Sequence, residues 1–274
     1  MAKNVSEFIG RKGAPRISEI PADVLRELNA GRIETVNLVE WLAVDPRALV
    51  RAVLPGLGLR SAVKPALRQI DGLEKPTQIK SIAAIARGLL EVTDWSDSGP
   101  FEKLASHGSD LVRSWAANMI GLRDDLSLRQ KLEAVRRFAA DPHFGVREEA
   151  WYVVRADIAG DVGGAISLLK RWVRDRDENI RRFATESTRP RGVWTNHIEI
   201  LKTNPEMALP LLDPLHRDSS KYVRDSVANW LNDASKSRPG WVQDVCDDWL
   251  RRSGSNETKY IVKRALRTIN GSGT

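Results

Sequence analysis

Apolar residues in this chain recur at three- and four-residue intervals and show no sustained alternation, so the pattern predicts helices throughout and no confident strand. From Pro21 onward, Val24, Leu25 and Leu28 form one stripe. Val36, Leu38, Val39, Trp41 and Leu42 form a second, which stops before Asp45-Pro46. Leu49, Val50, Val53 and Leu54 form a third, stopped by Pro55-Gly56. Helical spacing continues over 62–70 and 79–92, with a Gly- and Pro-bearing turn at 72–76. Residues 1–20 are rich in Lys, Gly and Pro without periodicity and read as a flexible N-terminal arm. A polar break at 94–100 divides a less regular part, 21–94, from a more regular one, 100–270, within one expected domain spanning 21–270.

The regular part repeats. A helix-opening motif, apolar then basic with a small or apolar residue three positions beyond the basic one, occurs at Val112-Arg113…Ala116, Val146-Arg147…Ala150 and Ile180-Arg181…Ala184. It recurs at Val223-Arg224…Val227 and, more weakly, at Val262-Lys263…Leu266. The basic positions 113, 147, 181, 224 and 263 are 34, 34, 43 and 39 residues apart. Second helices are expected between them, over 128–138, 165–173, 207–215 and 241–250. Two helices per roughly 40 residues is the period of HEAT or armadillo units, which bury their apolar faces by stacking on one another. The expected fold is therefore all-α, a right-handed α-solenoid of HEAT-like repeats with a concave basic face. In such units the Val-Arg pair serves packing and bonding to a neighbouring acid. Arg113 is read in that role, whereas Arg147, Arg181 and Arg224 stand evenly between it and contact with a polyanion.

Composition narrows the function. Hydrophobic content of 42% and charged content of 29% argue against disorder. No apolar run approaches the roughly 20 residues of a membrane helix, and the N-terminus lacks a signal-peptide core, so the expectation is a cytoplasmic protein. The one cysteine, Cys246, rules out an intrachain disulfide and a thiolate cluster, and its helical spacing places it in a core. His107, His143, His197 and His216 are scattered without ligand spacing, and no phosphate loop, His-Glu-x-x-His or Gly-x-Ser-x-Gly occurs. Neither a metal nor a cofactor is expected. Lys and Arg total 43 against 36 Asp and Glu, a formal charge of +7, and Trp outnumbers Tyr by 9 to 3. Basic balance is the footprint of a polyanion binder, and indoles near it could stack on bases.

The segment 179–236 concentrates this chemistry. It opens with a helix from Asn179 that carries Glu186 near its end and runs into Thr188-Arg189-Pro190-Arg191-Gly192-Val193-Trp194. Pro190 and Gly192 force a turn, whose arginines could reach phosphates or cap helix-end carbonyls. It closes with a helix over 220–235. At 100° per residue, Val223, Val227, Trp230, Leu231 and Ala234 form its core stripe, Asp225, Asn229, Asn232 and Lys236 its polar face, and Asp233 the margin. That face suits a polar ligand, and the plainer reading is a solvated surface with Asp233 paired to Lys236.

The runs Arg181-Arg182…Thr185-Glu186-Ser187-Thr188-Arg189-Pro190-Arg191…Trp194 and Tyr222-Val223-Arg224-Asp225-Ser226-Val227-Ala228-Asn229…Leu231-Asn232-Asp233…Ser235-Lys236 resemble the DNA alkylation repair glycosylases of the AlkC and AlkD superfamily, the AlkC branch more closely. The resemblance is strong over 140–250. It implies a HEAT-like solenoid that grips duplex DNA and excises N-alkylated bases, with Glu186 and Asp233 as the carboxylates beside the lesion nucleotide and Trp194 as the tryptophan after the Arg-Pro motif. One repeat earlier the family pattern carries Glu-Phe-Ala-Ile-Arg, and this chain has Trp151-Tyr152-Val153-Val154-Arg155, a Trp in place of the acid. The expected DNA contacts are Trp194, Trp151, Arg147, Arg182, Arg189, Arg191, Arg224, Asn229 and Lys236. The expected protein is a monomer acting on duplex DNA with alkylated bases, without membrane or metal, and associated with the nucleoid when bound. The competing readings are a non-catalytic binder of damaged or branched DNA and a HEAT protein-interaction scaffold.

Overall fold

The computed structural model describes residues 5–8, 10–94, 97–192 and 195–271. The described residues are helical and turn structure, without a strand. In chain order the α-helices are α1 (Ala22–Asn29), α2 (Leu38–Ala43), α3 (Pro46–Gly56), α4 (Val63–Asp71), α5 (Gln78–Leu90), α6 (Ser98–Ala105), α7 (Asp110–Gly121), α8 (Leu128–Ala139) and α9 (Phe144–Val153). They continue with α10 (Arg155–Gly160), α11 (Val162–Leu169), α12 (Glu178–Glu186), α13 (Glu199–Thr203), α14 (Leu209–Leu212), α15 (Lys221–Ser235), α16 (Pro239–Arg252), α17 (Asn256–Ala265) and α18 (Arg267–Gly271). They fall into two compact units. One is 1–125 with 142–153, and the other is 126–141 with 154–274.

The repeated motif opens α7, α9, α12 and α15, whereas its weaker fifth copy, Val262-Lys263, lies in the last turns of α17. Its apolar residues Val112, Val146, Ile180, Val223 and Val262 are buried, and so are Ala116, Ala150, Ala184 and Val227 three positions past the basic residue. The arginines explain the recurrence. Each reaches back over the start of its helix and donates to carbonyls of the incoming loop. Arg113 Nη1 bonds His107 O at 2.8 Å, and Arg147 Nη1 bonds Pro142 O at 2.7 Å. Arg181 Nη1 bonds Asp175 O and Arg176 O, and Arg224 Nη1 bonds Asp218 O and Ser219 O. Arg181 also grips Asp218 of the next repeat with Nε and Nη2 at 2.7 and 2.9 Å. Such fork geometry is the strong form of an ion pair.

In the first unit α4 packs on α5, α5 on α7 and α7 on α9. Gly88 permits the first of these contacts, since a Cβ there would lie 2.5 Å from the backbone of Ala66. Asp110 on α7 accepts from Thr35 N and Oγ1 at 3.0 and 2.8 Å, tying the α1–α2 loop to the core. The expected N-terminal arm is held where it is described. Phe8 is buried, and Arg11 Nη2 bonds Glu34 O and Glu40 Oε2, both at 2.6 Å.

In the second unit α12 packs on α15 and α15 on α17, with α16 against both α15 and α17. The helix expected over 207–215 is instead α14 flanked by 3-10 turns at Pro205–Ala208 and Asp213–Leu215. Prolines at 205, 210 and 214 remove the N–H groups a continuous helix would need. The helix expected over 165–173 ends at Leu169 and continues as a 3-10 turn, Trp172–Arg174. Cys246 is buried, and burial pushes its thiol up to about 12, as fits an unreactive core residue.

Candidate DNA-processing site

The second unit gathers its charged side chains where α12 ends. Asp177 accepts from Asn179 N and starts this helix; Glu186 is its last residue. The chain then turns through Ser187–Arg191 toward α15, which Ser220 caps through Val223 N. Trp230 of α15 donates its indole N–H to Thr188 O at 3.0 Å, and Thr185 and Ser226 share a hydroxyl bond at 2.5 Å. These bonds bring the end of α12 onto the middle of α15 and set Glu186 opposite Asp233.

Both carboxylates are buried, Glu186 at 5% and Asp233 at 4% exposure, and Arg189 stands between them. Arg189 Nε and Nη2 lie 2.8 and 2.7 Å from Asp233 Oδ2, and its Nη1 lies 3.3 Å from Glu186 Oε2. The outer oxygens meet weaker partners. Arg182 Nη2 is 3.7 Å from Glu186 Oε1, and Lys236 Nζ is 3.5 Å from Asp233 Oδ1. Burial alone would lower the Arg189 pKa; the Glu186 and Asp233 charges outweigh it and hold the guanidinium above its usual value.

A second arginine, this one buried, supports the turn. Arg155, the first residue of α10, donates to Ser187 O at 3.1 Å, Arg189 O at 2.6 Å and Asn196 O at 3.3 Å. Burial, and then the Arg189 charge, push it down to about 10, against the pull of Glu186 and Asp233, and it stays protonated at neutral pH. Gly192 is needed beside it. A Cβ there would come within 2.2 Å of Thr195 Cγ2 and 3.3 Å of Arg155 Nη2.

Of the expected site residues, Glu186, Asp233, Arg182, Arg189, Arg191 and Lys236 come together. Arg191 donates through Nε to Asp233 O and through Nη2 to Ser237 Oγ. Arg189 and Arg191 thus serve the carboxylate cluster and the end of α15, and Arg182 stacks its guanidinium 4.3 Å from the Tyr222 ring centroid. Asn229 accepts from Arg267 Nη2 at 3.0 Å. Trp194 lies outside the described residues. Trp151 offers no open face for stacking, because it is buried and its Nε1–H is held by Glu148 Oε2 at 2.8 Å. Arg147 and Arg224 have the carbonyl-capping bonds described above, which is the packing side of their two readings. Asn232, placed on the polar face by the helical wheel, is buried and donates to Ala265 O and Thr268 Oγ1, because α17 and α18 cover that side. Asp233 moves inward with it.

Arg155 and Arg267 carry weight that the sequence alone did not assign. Arg155 had a signal. It stands eight positions after motif Arg147, as Arg189 stands eight positions after motif Arg181, so the two arginines share one repeat register. Among the described residues no group of three or more His, Cys, Asp or Glu is placed to hold a metal ion.

Comparison with known proteins bears on this cluster. Residues 148–269, which contain both carboxylates, match the family model of DNA alkylation repair enzymes. An uncharacterized protein, YhaZ, of Bacillus subtilis (strain 168) is 40% identical over 119 residues, which are 43% of this chain and 32% of that protein. The matched part is thus about a third of the relative's length. The Pseudomonas fluorescens alkylpurine DNA glycosylase AlkC, solved bound to DNA containing an abasic site analog, superposes with a TM-score of 0.68 at 23% identity. That superposition covers 94% of this chain and 66% of AlkC. AlkD2 from Streptococcus mutans superposes with a TM-score of 0.56 at 22% identity, covering 76% of this chain and 96% of AlkD2. At these identities the likeness carries the fold, the HEAT-like helical repeat. Over residues 148–269 the chain is thus similar to the DNA alkylation repair enzymes.

Proposed function

We propose that this protein is a DNA glycosylase that releases N-alkylated, cationic bases from duplex DNA. The observation that carries the reading is the meeting of two buried carboxylates from α12 and α15 on one guanidinium, inside the region matched by the repair family. The structural relative AlkC is an alkylpurine glycosylase solved on DNA, which supports DNA as the partner here.

The chemistry suits these groups. Alkylation at a purine ring nitrogen leaves the base positively charged. When the C1′–N bond breaks, its electron pair leaves with the base and neutralises that charge, so no acid is required. The sugar is left with oxocarbenium character. A nearby carboxylate stabilises that charge, and water adds to C1′ as its proton passes to the carboxylate or to solvent. Asp233 Oδ1 is the oxygen suited to this step. Its neighbour is the half-exposed Lys236 at 3.5 Å, whereas Oδ2 is committed to Arg189. Arg189 orients both acids, and Arg182, Arg191 and Lys236 supply positive charge for the flanking phosphates.

The Asp233→Asn and Glu186→Gln variants test this in single-turnover base release from duplexes carrying 3-methyladenine, 7-methylguanine or 3-methylcytosine. The expected result is a loss of about a hundredfold or more in one of them with DNA binding kept. A non-catalytic binder of damaged DNA is the second reading. It is favoured by the four carboxylate oxygens each lying within 4 Å of a cation. Base release absent from wild type on all three adducts, with binding intact, would establish it instead.

A further inference from the structure

α15 presents Lys221, Asp225, Asn229 and Asp233 at four-residue steps, along one side of the helix. The neighbouring α17 and α18 answer with Tyr260, Arg264 and Arg267. On the first rung Asp225 is the centre. Its Oδ1 accepts from Tyr260 OH at 2.6 Å and lies 3.4 Å from Arg264 Nε, and its Oδ2 accepts from Lys221 Nζ at 2.6 Å. On the next rung Arg267 donates to Asn229 Oδ1 and, backward, to Arg264 O. The last rung is Asp233 in the site above.

The first rung is unbalanced in charge. Lys221, Arg224 and Arg264 each lie 5.5 Å from the Tyr260 ring centroid. Asp225 is the carboxylate bonded to this group among the described residues. A salt bridge that serves stability pairs its charges; three cations around one carboxylate leave a positive surplus. Lys221 and Arg264 also face water, with side chains 66% and 42% exposed. The ring and the carboxylate hold these heads in place, which reduces the ordering cost of a later contact.

The geometry points to a second anion site, in which Lys221, Arg264 and Arg267, organised by Tyr260 and Asp225, take backbone phosphates of a DNA strand. This rests on the DNA reading above. By helical rise the site begins about 6 Å along α15 from Asp233, at the Asn229 rung that holds Arg267, and ends about 18 Å away at Lys221. The cations occupy two successive rungs, Lys221 and Arg264 on the first and Arg267 on the next, a spread that suits the repeated charges of a strand. An acidic protein would need an apolar or aromatic anchor pocket as well, and the Tyr260 ring is occupied by cations. A strand held here fixes which nucleotide arrives at Glu186 and Asp233. The site thus sets register.

The test is binding of undamaged duplex DNA as a function of salt, which requires no catalysis. Each lost phosphate contact removes about 0.9 from the slope of log affinity against log salt. The Lys221→Gln/Arg264→Gln double variant should therefore lose about two from that slope and at least tenfold in affinity at low salt. Tyr260→Phe, which frees Asp225 but keeps every charge, should weaken binding with the slope kept. An Arg129→Gln/Lys170→Gln double variant, which removes two exposed charges elsewhere in the same unit, should leave the slope unchanged. An unchanged slope in Lys221→Gln/Arg264→Gln, or an equal loss in the Arg129/Lys170 pair, would overturn the site, as would a wild-type protein that binds no duplex. Base release by wild type, measured separately on alkylated duplex, tells failure of this site from failure of the glycosylase reading.

Discussion

Single side chains in this protein are held in environments that set their ionisation. Glu149 on α9 is fully enclosed, with Asn118 Nδ2 donating to its Oε2 at 2.9 Å. Burial pushes its carboxyl up to about 7, against that hydrogen bond. A carboxyl raised in the folded state adds stability below its unfolded pKa and loses it as pH climbs through the folded value. The window is therefore about pH 4.5 to 7, and the difference across it is about 3 kcal/mol. Glu149→Gln keeps an acceptor for Asn118 and cannot ionise. Thermal melts should show the wild type falling between about pH 4.5 and 7 relative to this variant and levelling off above, and parallel curves would refute the assignment. Arg155 is the other such residue. Arg155→Met leaves the carbonyls of Ser187 and Arg189 without their donor, and the expected cost is about 3 kcal/mol or more. Arg155→Lys, with fewer directed donors, should recover part of it.

Between elements, the α12–α15 junction is a charged contact inside a packed one. Removing Arg189 takes the shared close partner from Glu186 and Asp233 and leaves them buried with the more distant Arg182 at 3.7 Å and Lys236 at 3.5 Å. Breaking such a set by one partner costs about 3–5 kcal/mol, and Arg189→Gln should approach that figure in chemical denaturation. Adding Asp233→Asn removes one stranded charge. The double variant should therefore be less destabilised than the sum of the two singles, by about 1 kcal/mol or more. Strict additivity would mean that Arg189 and Asp233 do not act together. The α4–α5 contact offers an apolar counterpart. Gly88→Ala sets a methyl 2.5 Å from the Ala66 backbone, where overpacking costs about 1–3 kcal/mol.

At the scale of the whole molecule, the surplus of basic over acidic residues acts on partners and not on the fold. If duplex DNA is that partner, random-sequence duplex should bind at 50 mM salt and weaken at least a thousandfold by 200 mM, the behaviour of six or more phosphate contacts. Fluorescence anisotropy of a labelled undamaged duplex measures this directly. An affinity insensitive to salt would argue for the protein-scaffold reading.

What the sequence determined is what repeats locally. Helix content, the Val-Arg motif and its spacing follow from side chains that contact residues within a few positions of themselves, and those contacts exist before any tertiary packing. The two acid-bearing segments were legible for the same reason: Glu186 and Asp233 each sit at a fixed place in a motif helix. Tertiary structure decided what those residues face. A helical wheel treats α15 as having one buried side, but α12, α16 and α17 all pack on it, so Asn232 and Asp233 end up inside. Trp151 is an expected DNA contact, and Arg147 and Arg224 stand between packing and such contact; the fold gives the Trp151 indole N–H to Glu148 and Nη1 of each arginine to loop carbonyls. Glu186 and Asp233, joined through Arg189, stand 47 positions apart, a separation at which no periodicity carries information. Only the stacking of one repeat on the next could bring them together.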